Sequence, residues 1–328
     1  MNAPLTPRPD SAAASVSAHQ LSIHFATKAG TVKAVDGVSF AIQPGETFGI
    51  IGESGSGKTT LGRALAGLLK PSAGDIRYGE HNLRTLSRAE RKRLRRDHQI
   101  IFQDPHAALN PRMTILQSVI EPLDIIGEGD RQSRRQTAAD ALERVGLPAA
   151  IGKRYPHELS GGQKQRVNIA RTLTLRPKFI VCDEVVAALD ESIRGSILNL
   201  FADLQKEFGI TYAFITHDIS VVSHVSDRIG VLYLGRLMEQ GPADAISDQP
   251  LHPYTQALLS AEPLPLPGDL RDSRRRIRLE GEIPSPLNPP SGCPFRTRCP
   301  KAEALCAERV PEWRELRPEH WVACHFAE

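Results

Sequence analysis

The sequence predicts an α/β domain built on a parallel sheet. An apolar run, Thr47 to Ile51, enters the glycine-rich stretch Gly52-Glu53-Ser54-Gly55-Ser56-Gly57-Lys58-Thr59-Thr60, and a helical pattern from Leu61 to Leu69 leaves it. Strand, glycine loop and helix are the context of the phosphate-binding loop G-x-x-x-x-G-K-[ST]. Two further apolar runs, Lys178 to Cys182 and Thr211 to Ile215, alternate with helical segments. Buried strands separated by helices make a parallel sheet covered on both faces. The first of these runs ends in two carboxylates, Asp183 and Glu184, and the carboxyl ends of strands are where open parallel sheets bind ligands.

The other elements follow in order. Leu21 to Phe25 alternates as a strand, Val32 to Ile42 carries a second, and Pro44-Gly45 turns the chain into the strand before the glycine loop. Pro71 to Gly74 ends the first helix, and Asp75 to Tyr78 is a short strand. Ser87 to Arg96 is helical and very basic, and Gln99 to Phe102 is a strand ending at Gln103. Thr114 to Ile126 and Ser133 to Val145 have helical periodicity and form an inserted helical lobe, bounded at about 104–175. A helix follows Leu159-Ser160-Gly161-Gly162-Gln163 and runs to Leu175, and Ser192 to Phe208 is another.

With 328 residues, 40% hydrophobic and 24% charged, the chain is long enough for one large domain and a smaller appendage. No apolar run approaches the roughly 18 residues that span a bilayer. The start, to Gln20, is rich in Pro, Ala and Ser with no apolar core behind a basic start. It is expected to be a disordered lead-in over 1–18 rather than a signal peptide, which places the protein in the cytosol. A net charge of +3 is too small to argue for nucleic acid. In a reducing compartment the five cysteines are not expected to form disulfides.

The glycine loop carries its own chemistry. Its backbone N–H groups form an anion nest, reinforced by the helix N-terminus behind them. Lys58 is expected on the β- and γ-phosphates and the Thr59 hydroxyl on Mg²⁺, with Gly52, Ser54, Gly55, Ser56, Gly57 and Thr60 completing the cradle. Asp183 is placed to hold Mg²⁺ through water and Glu184 to polarise the attacking water. A strand end with solvated acids is the plain alternative for this pair.

Leu159-Ser160-Gly161-Gly162-Gln163 matches the signature sequence of ABC ATPases, and with it the chain resembles an ABC-transporter ATPase subunit. The resemblance implies a parallel-sheet core with an antiparallel β subdomain and a helical subdomain. It also implies a head-to-tail dimer in which each ATP lies between one phosphate loop and the partner's Ser160, Gly161, Gly162 and Gln163. In the same terms Gln103 resembles the glutamine that touches Mg²⁺ and water, His217 the histidine on the γ-phosphate, and Ala188-Leu189-Asp190 the loop that crosses to the partner. Phe25 fits an aromatic stacked on adenine, and equally a core strand residue. One departure stands out: Val185 follows Glu184 where the family usually has proline, and Ala187 precedes Ala188 where it often has serine.

Beyond about Gly241 the chain is similar to the dipeptide/oligopeptide and nickel importer ATPases. His252-Pro253-Tyr254-Thr255-Gln256-Ala257-Leu258-Leu259 and Gly281-Glu282-Ile283-Pro284-Ser285-Pro286 carry that likeness, which is closest to the second ATPase of a dipeptide importer. An ATPase domain over 19–260, a Pro-rich linker over 261–290 and a cysteine-rich tail over 291–328 are expected. The tail reads C-x5-C-x6-C-x17-C through Cys293, Cys299, Cys306 and Cys324. The spacing is looser than zinc pairs prefer and suits an iron–sulfur cluster. Zinc or free thiols are the alternatives, and the resemblance implies a [4Fe–4S] cluster. Cys182, in a buried strand, reads as a small apolar residue.

The resemblance implies an ATP-hydrolysing subunit, peripheral on the cytoplasmic face of the cytoplasmic membrane, that energises uptake of dipeptides or oligopeptides. Its implied partners are a second ATPase subunit, in a heterodimer or a homodimer, two transmembrane permeases and, indirectly, an external peptide-binding protein. Nickel and glutathione are alternative cargoes. A soluble ABC ATPase acting on ribosome or DNA is the competing class, and a single ATPase domain without a heptad run argues against it. Leu109, Pro111, Met113 and Ile115 are expected to line a groove for a membrane subunit. The seven Arg/Lys of Arg84 to Arg96 and the five of Arg271 to Arg278 read as solvated faces or contacts to lipid headgroups.

Overall fold

The computed structural model describes residues 15–261 and 277–328. Residues 1–14, the first proline-rich stretch and most of the second basic run lie outside the described residues.

Two sheets make the frame. β1 (Val16–Thr27), β2 (Gly30–Ile42), β4 (Ala73–Tyr78) and β5 (His81–Asn82) form an antiparallel sheet in the order β2-β1-β4-β5. The larger sheet takes β3 (Thr47–Ile51), β6 (His98–Ile101), β7 (Phe179–Asp183), β8 (Thr211–Ile215), β9 (Arg228–Tyr233), β10 (Arg236–Pro242), β11 (Arg314–Arg317) and β12 (His320–Val322). Its order is β11-β12-β10-β9-β3-β8-β7-β6. The expected parallel core is present from β9 to β6. The pairings of β10 with β9 and β12, and of β11 with β12, are antiparallel.

The central strands read as near-continuous apolar runs because both faces are buried, and alternation sorts their side chains between two cores. Phe179, Val181, Ala213, Ile215, Phe48 and Ile50 pack with α1 (Lys58–Leu65) and the antiparallel sheet. Ile180, Cys182, Tyr212, Phe214 and Ile51 face the opposite core. There they meet α5 (Gly161–Leu173), α6 (Glu191–Phe208) and α7 (Ile219–Val225). Cys182 is fully buried, as expected of a small apolar residue.

The helical lobe holds α3 (Ile115–Ile126) and α4 (Arg131–Arg144), both packed on α5. Each of these helices opens with a reciprocal cap: Thr114 with Gln117, Asp130 with Ser133, and Ser160 with Gln163. α2 (Arg88–Asp97) is capped in the same way by Ser87 and Glu90. Among the described residues three further short helices follow, α8 (Ala243–Asp248), α9 (Pro253–Ala261) and α10 (Ala304–Glu308).

Two expectations are corrected. The disordered lead-in over 1–18 does not extend to 16–18, where β1 already pairs with Ile42 and Tyr78. Val16 and Ala18 are apolar, alternate, and are buried between β2 and β4. Nor do the last residues stand apart from the main sheet, because β12 pairs with β10 and β11 forms its outer edge. Buried Glu239 explains the join: its carboxylate accepts the N–H groups of Leu251 (2.6 Å) and His252 (2.9 Å) and lies 2.7 Å from His320 Nε2. A buried carboxylate needs such partners, and His320 brings β12 with it.

Candidate active site

β3, fully buried, delivers the chain to the glycine loop, and α1 starts at Lys58. Gly52 and Gly57 adopt φ of 154° and 104°, and a Cβ on either would come within 2.1 Å of a carbonyl oxygen, of Leu232 and Ala34 respectively. No other residue type fits these close approaches. Ser54 and Gly55 are exposed at the rim, while Ser56 is buried and Thr60 half-buried. Lys58 Nζ donates to the carbonyls of Gly52 (2.6 Å) and Glu53 (2.9 Å). Burial lowers the Lys58 pKa, opposed by the charges of Glu184, Asp183 and Glu53.

The expected magnesium pair is in contact: Thr59 Oγ1 donates to Asp183 Oδ1 at 3.1 Å. Burial raises the Asp183 pKa, and the Thr59 bond acts against it. Glu184 follows in a left-handed conformation, φ 50°, which is strained for a residue with a Cβ. Its N–H donates to Ile215 O (2.9 Å), so β8 holds the turn. Its two carboxylate oxygens are divided between neighbours. Gln103 Nε2 donates to Oε2 at 2.8 Å, and His217 Nδ1 lies 3.4 Å from Oε1. The ends of β6, β7 and β8 thus bring Gln103, Glu184 and His217 to one point beside the Thr59–Asp183 pair.

The unusual Val185-Val186 is accommodated without proline. Both side chains are 2% exposed in the core, and Ala187 N donates to Glu184 O (3.1 Å) to close the turn. Asp190 is exposed at the start of α6.

Other expected residues stand elsewhere. Ser160 is exposed at the N-cap of α5, its Oγ accepting from Gln163 N (3.3 Å). Among the described residues no hydrogen bond or ion pair joins Ser160, Gly161, Gly162 or Gln163 to residues 52–60. Phe25 is 41% exposed near the end of β1, which removes the core-residue alternative. Of the apolar residues expected to line a groove, Leu109 (3%) and Ile115 (0%) are buried inside the helical lobe. Among the described residues a groove of about 1190 Å³ lies between α2 and α3, with Leu68, Phe102, Ile125 and Pro122 as its apolar wall. Arg88, Arg91, Lys92 and Arg95 of the basic helix stand along it.

Cys293, Cys299, Cys306 and Cys324 line one small cavity with His252 and Phe326. Among the described residues, however, no group of His, Cys, Asp or Glu is arranged to hold a metal ion. Burial pushes the Cys293 thiol up to about 11 and raises Cys299 and Cys324.

Sequence reasoning missed Tyr254, Arg298 and the role of Glu53. Tyr254 Oη accepts from Glu53 N (2.8 Å), and the Arg298 guanidinium takes both Glu53 carboxylate oxygens at 2.6 and 3.0 Å. An arginine between two cysteines carries no local signal for a partner 245 residues away.

The comparisons agree with this geometry. The ABC transporter family model matches residues 35–187, and that of the oligopeptide/dipeptide transporter C-terminal region matches residues 238–306. The chain is 53% identical over 309 residues to the putative oligopeptide transport ATP-binding protein YkfD of Bacillus subtilis, covering 94% of each. It is 46% identical to the di/tripeptide transport ATP-binding protein DppF of Pseudomonas aeruginosa, covering 90% of this chain and 91% of that one. Among solved structures it resembles the dimeric, post-hydrolysis ATP-binding cassette MJ0796 bound to ADP and Pi. The identity there is 31% and the TM-score 0.63, covering 70% of this chain and 98% of the other. Likeness of this extent, together with the loop, the strand-end carboxylates and the C-terminal region, means that the chain belongs to the ATP-hydrolysing subunits of ABC transporters, in their oligopeptide/dipeptide branch.

Proposed function

We propose that this chain powers uptake of dipeptides and oligopeptides, seated on the cytoplasmic face of the membrane and paired head-to-tail with a second ATPase subunit. The observation that carries the catalytic reading is the placing of Glu184, held between Gln103 and His217 beside the Thr59–Asp183 pair. The loop amides and Lys58 would take the triphosphate, with Lys58 exchanging its two carbonyl partners for phosphate oxygens. Glu184 would accept a proton from water as that water attacks the γ-phosphorus in line and ADP leaves. Gln103 would fix the carboxylate from one side, and His217 would meet the γ-phosphate. The Thr59 hydroxyl and the Asp183 carboxylate are hard oxygen donors that fit Mg²⁺. When bound, the ion supplies charge neutralisation at the β- and γ-oxygens. Phe25, exposed near the loop's end of the antiparallel sheet, is the proposed adenine platform. Ser160, exposed at a helix N-terminus, with Gly161, Gly162 and Gln163 behind it, is proposed to close on the partner's ATP, with Asp190 at the same junction.

The catalytic unit is proposed to run from β1 to about residue 260, with the helical lobe at about 104–175. The groove between α2 and α3 is the proposed seat of a permease's cytoplasmic helix, and Phe102, next to Gln103, would connect it to the active site. For Cys293, Cys299, Cys306 and Cys324, four sulfur donors lining one cavity fit a [4Fe–4S] cluster, which would supply cross-links to a segment with little core of its own.

Two substitutions test the catalytic reading. Glu184→Gln keeps the shape and removes the base: ATP binding should persist while turnover falls by at least about 100-fold. Lys58→Ala should abolish nucleotide binding. Wild-type turnover in Glu184→Gln would remove Glu184 from the catalytic role.

A further inference from the structure

Glu53 is an awkward residue for its position. It is the second residue of a loop whose task is to hold phosphates, and its carboxylate adds a negative charge where an anion must bind. The structure turns that charge away. Arg298 engages both carboxylate oxygens, fork to fork, at 2.6 and 3.0 Å. The Arg298 side chain is only 8% exposed and Glu53 only 24%, so water screens the pair weakly. The ion pair raises the Arg298 pKa still further, and the guanidinium is charged at every working pH. Glu53 is held at its backbone as well. Its N–H donates to the hydroxyl of fully buried Tyr254, and its carbonyl accepts from Ser56 N (3.2 Å) and Lys58 Nζ (2.9 Å). One residue therefore joins the C-terminal region to the loop lysine.

Arg298 is itself fixed in place. Its N–H donates to Phe295 O (3.0 Å), and Phe295 is fully buried against Tyr233 and Tyr254, with ring centroids 5.3 and 5.2 Å away. The Arg298 guanidinium also lies 6.0 Å from the Tyr233 ring centroid. The cassette MJ0796 aligns with 70% of this chain while covering 98% of itself, so much of this chain lies beyond a plain cassette.

We propose that Arg298 and Tyr254 are positioning residues for ATP binding: they hold Glu53 so that its carboxylate faces the guanidinium rather than the triphosphate, and so make the C-terminal region part of the nucleotide site. The proposal rests on residues 52–60 being the phosphate loop, which Lys58→Ala tests separately.

The experiment measures steady-state ATP hydrolysis and equilibrium binding of a fluorescent ATP analogue, using the full-length chain. Arg298→Ala should raise the KM for ATP by roughly 5- to 30-fold, the size of one lost charge-assisted hydrogen-bond pair. Its kcat should stay within about threefold of wild type, because the hydrolytic groups are untouched. Arg298→Lys should fall between the two, since it keeps the charge and loses the fork. Tyr254→Phe should raise KM by a smaller factor. The deciding variant is Glu53→Gln combined with Arg298→Ala: with the carboxylate gone, KM should return most of the way to wild type. Should Arg298→Ala fold poorly, Arg298→Lys and Tyr254→Phe carry the test, and an unchanged KM in both overturns the proposal. An unchanged KM in Arg298→Ala overturns the proposal, as does a double variant as weak as Arg298→Ala. If Lys58→Ala binds the analogue normally, the loop assignment is what fails.

Discussion

At the residue scale the candidate active site divides the partners of one carboxylate. Glu184 has two oxygens and gives one to Gln103 and one to His217. A carboxylate fixed from both sides holds its direction when water arrives, and the strained φ of 50° aims it off the strand end. His98 shows how environment alone sets a titration. It is buried edge-on to Tyr78, with ring centroids 4.2 Å apart, and burial pushes its pKa down to about 3, with Lys178 adding to the shift. The unfolded chain protonates this histidine near pH 6.5, whereas the folded chain refuses the proton until about pH 3. The stability this contributes is complete above about 6.5 and is lost as pH falls toward about 3. Between pH 7 and pH 5 the wild-type chain should lose about 2 kcal/mol more stability than His98→Leu, read from urea titrations at the two pH values. Equal losses would show that His98 is not excluded from protonation.

At the element scale, α2 presents a surface rather than a core. α2 buries none of its residues, yet it begins with a complete capping box and stands along the groove with Arg88, Arg91, Lys92 and Arg95 outward. Across from it Ile125 is 74% exposed, more than any isolated core argument would explain. Ile125→Glu should leave stability within about 0.5 kcal/mol, because the side chain makes little core contact. Basal ATP hydrolysis should be unchanged, while transport in the assembled complex should fail. Normal transport by this variant would take the groove out of coupling. Phe295 behaves oppositely, as a buried plug between the sheet and the C-terminal segment. Phe295→Ala should cost about 3–5 kcal/mol of unfolding free energy, with the loss visible in thermal melts.

At the scale of the whole molecule, the C-terminal segment is a structural edge of the main sheet. β12 covers β10, Glu239 and His320 pin it, and Phe295 anchors the turn that carries Arg298. The four cysteines line a cavity in this same region. Protein purified without oxygen should be brown and carry about four irons and four sulfides per chain. Cys299→Ser should lose that iron. A colourless wild-type preparation with stoichiometric zinc would replace the cluster by a zinc site.

What the sequence by itself determined is the cassette: the glycine loop between β3 and α1, the strand ending in Asp183 and Glu184, and the helix opening at Ser160. These are local signals. A five-residue apolar run, a capping pair and a glycine spacing each act within one or two turns of chain, so they can be read without knowing what packs on them. The family likeness extended this to the order of the C-terminal region. Only the tertiary structure decided which charges meet. Nothing in the local sequence around Glu53, Arg298 or Glu239 marks a partner for any of them. Their pairing depends on where Phe295 and β12 dock, 245 residues from the loop in the case of Arg298. Burial was decided in the same way. Leu109 and Ile115 have the composition of a surface groove but face the lobe's interior, whereas Phe102 and Ile125, equally apolar, face out. Hydrophobicity states that a side chain gains by burial, and only the packing of the neighbouring helices decides which one obtains it.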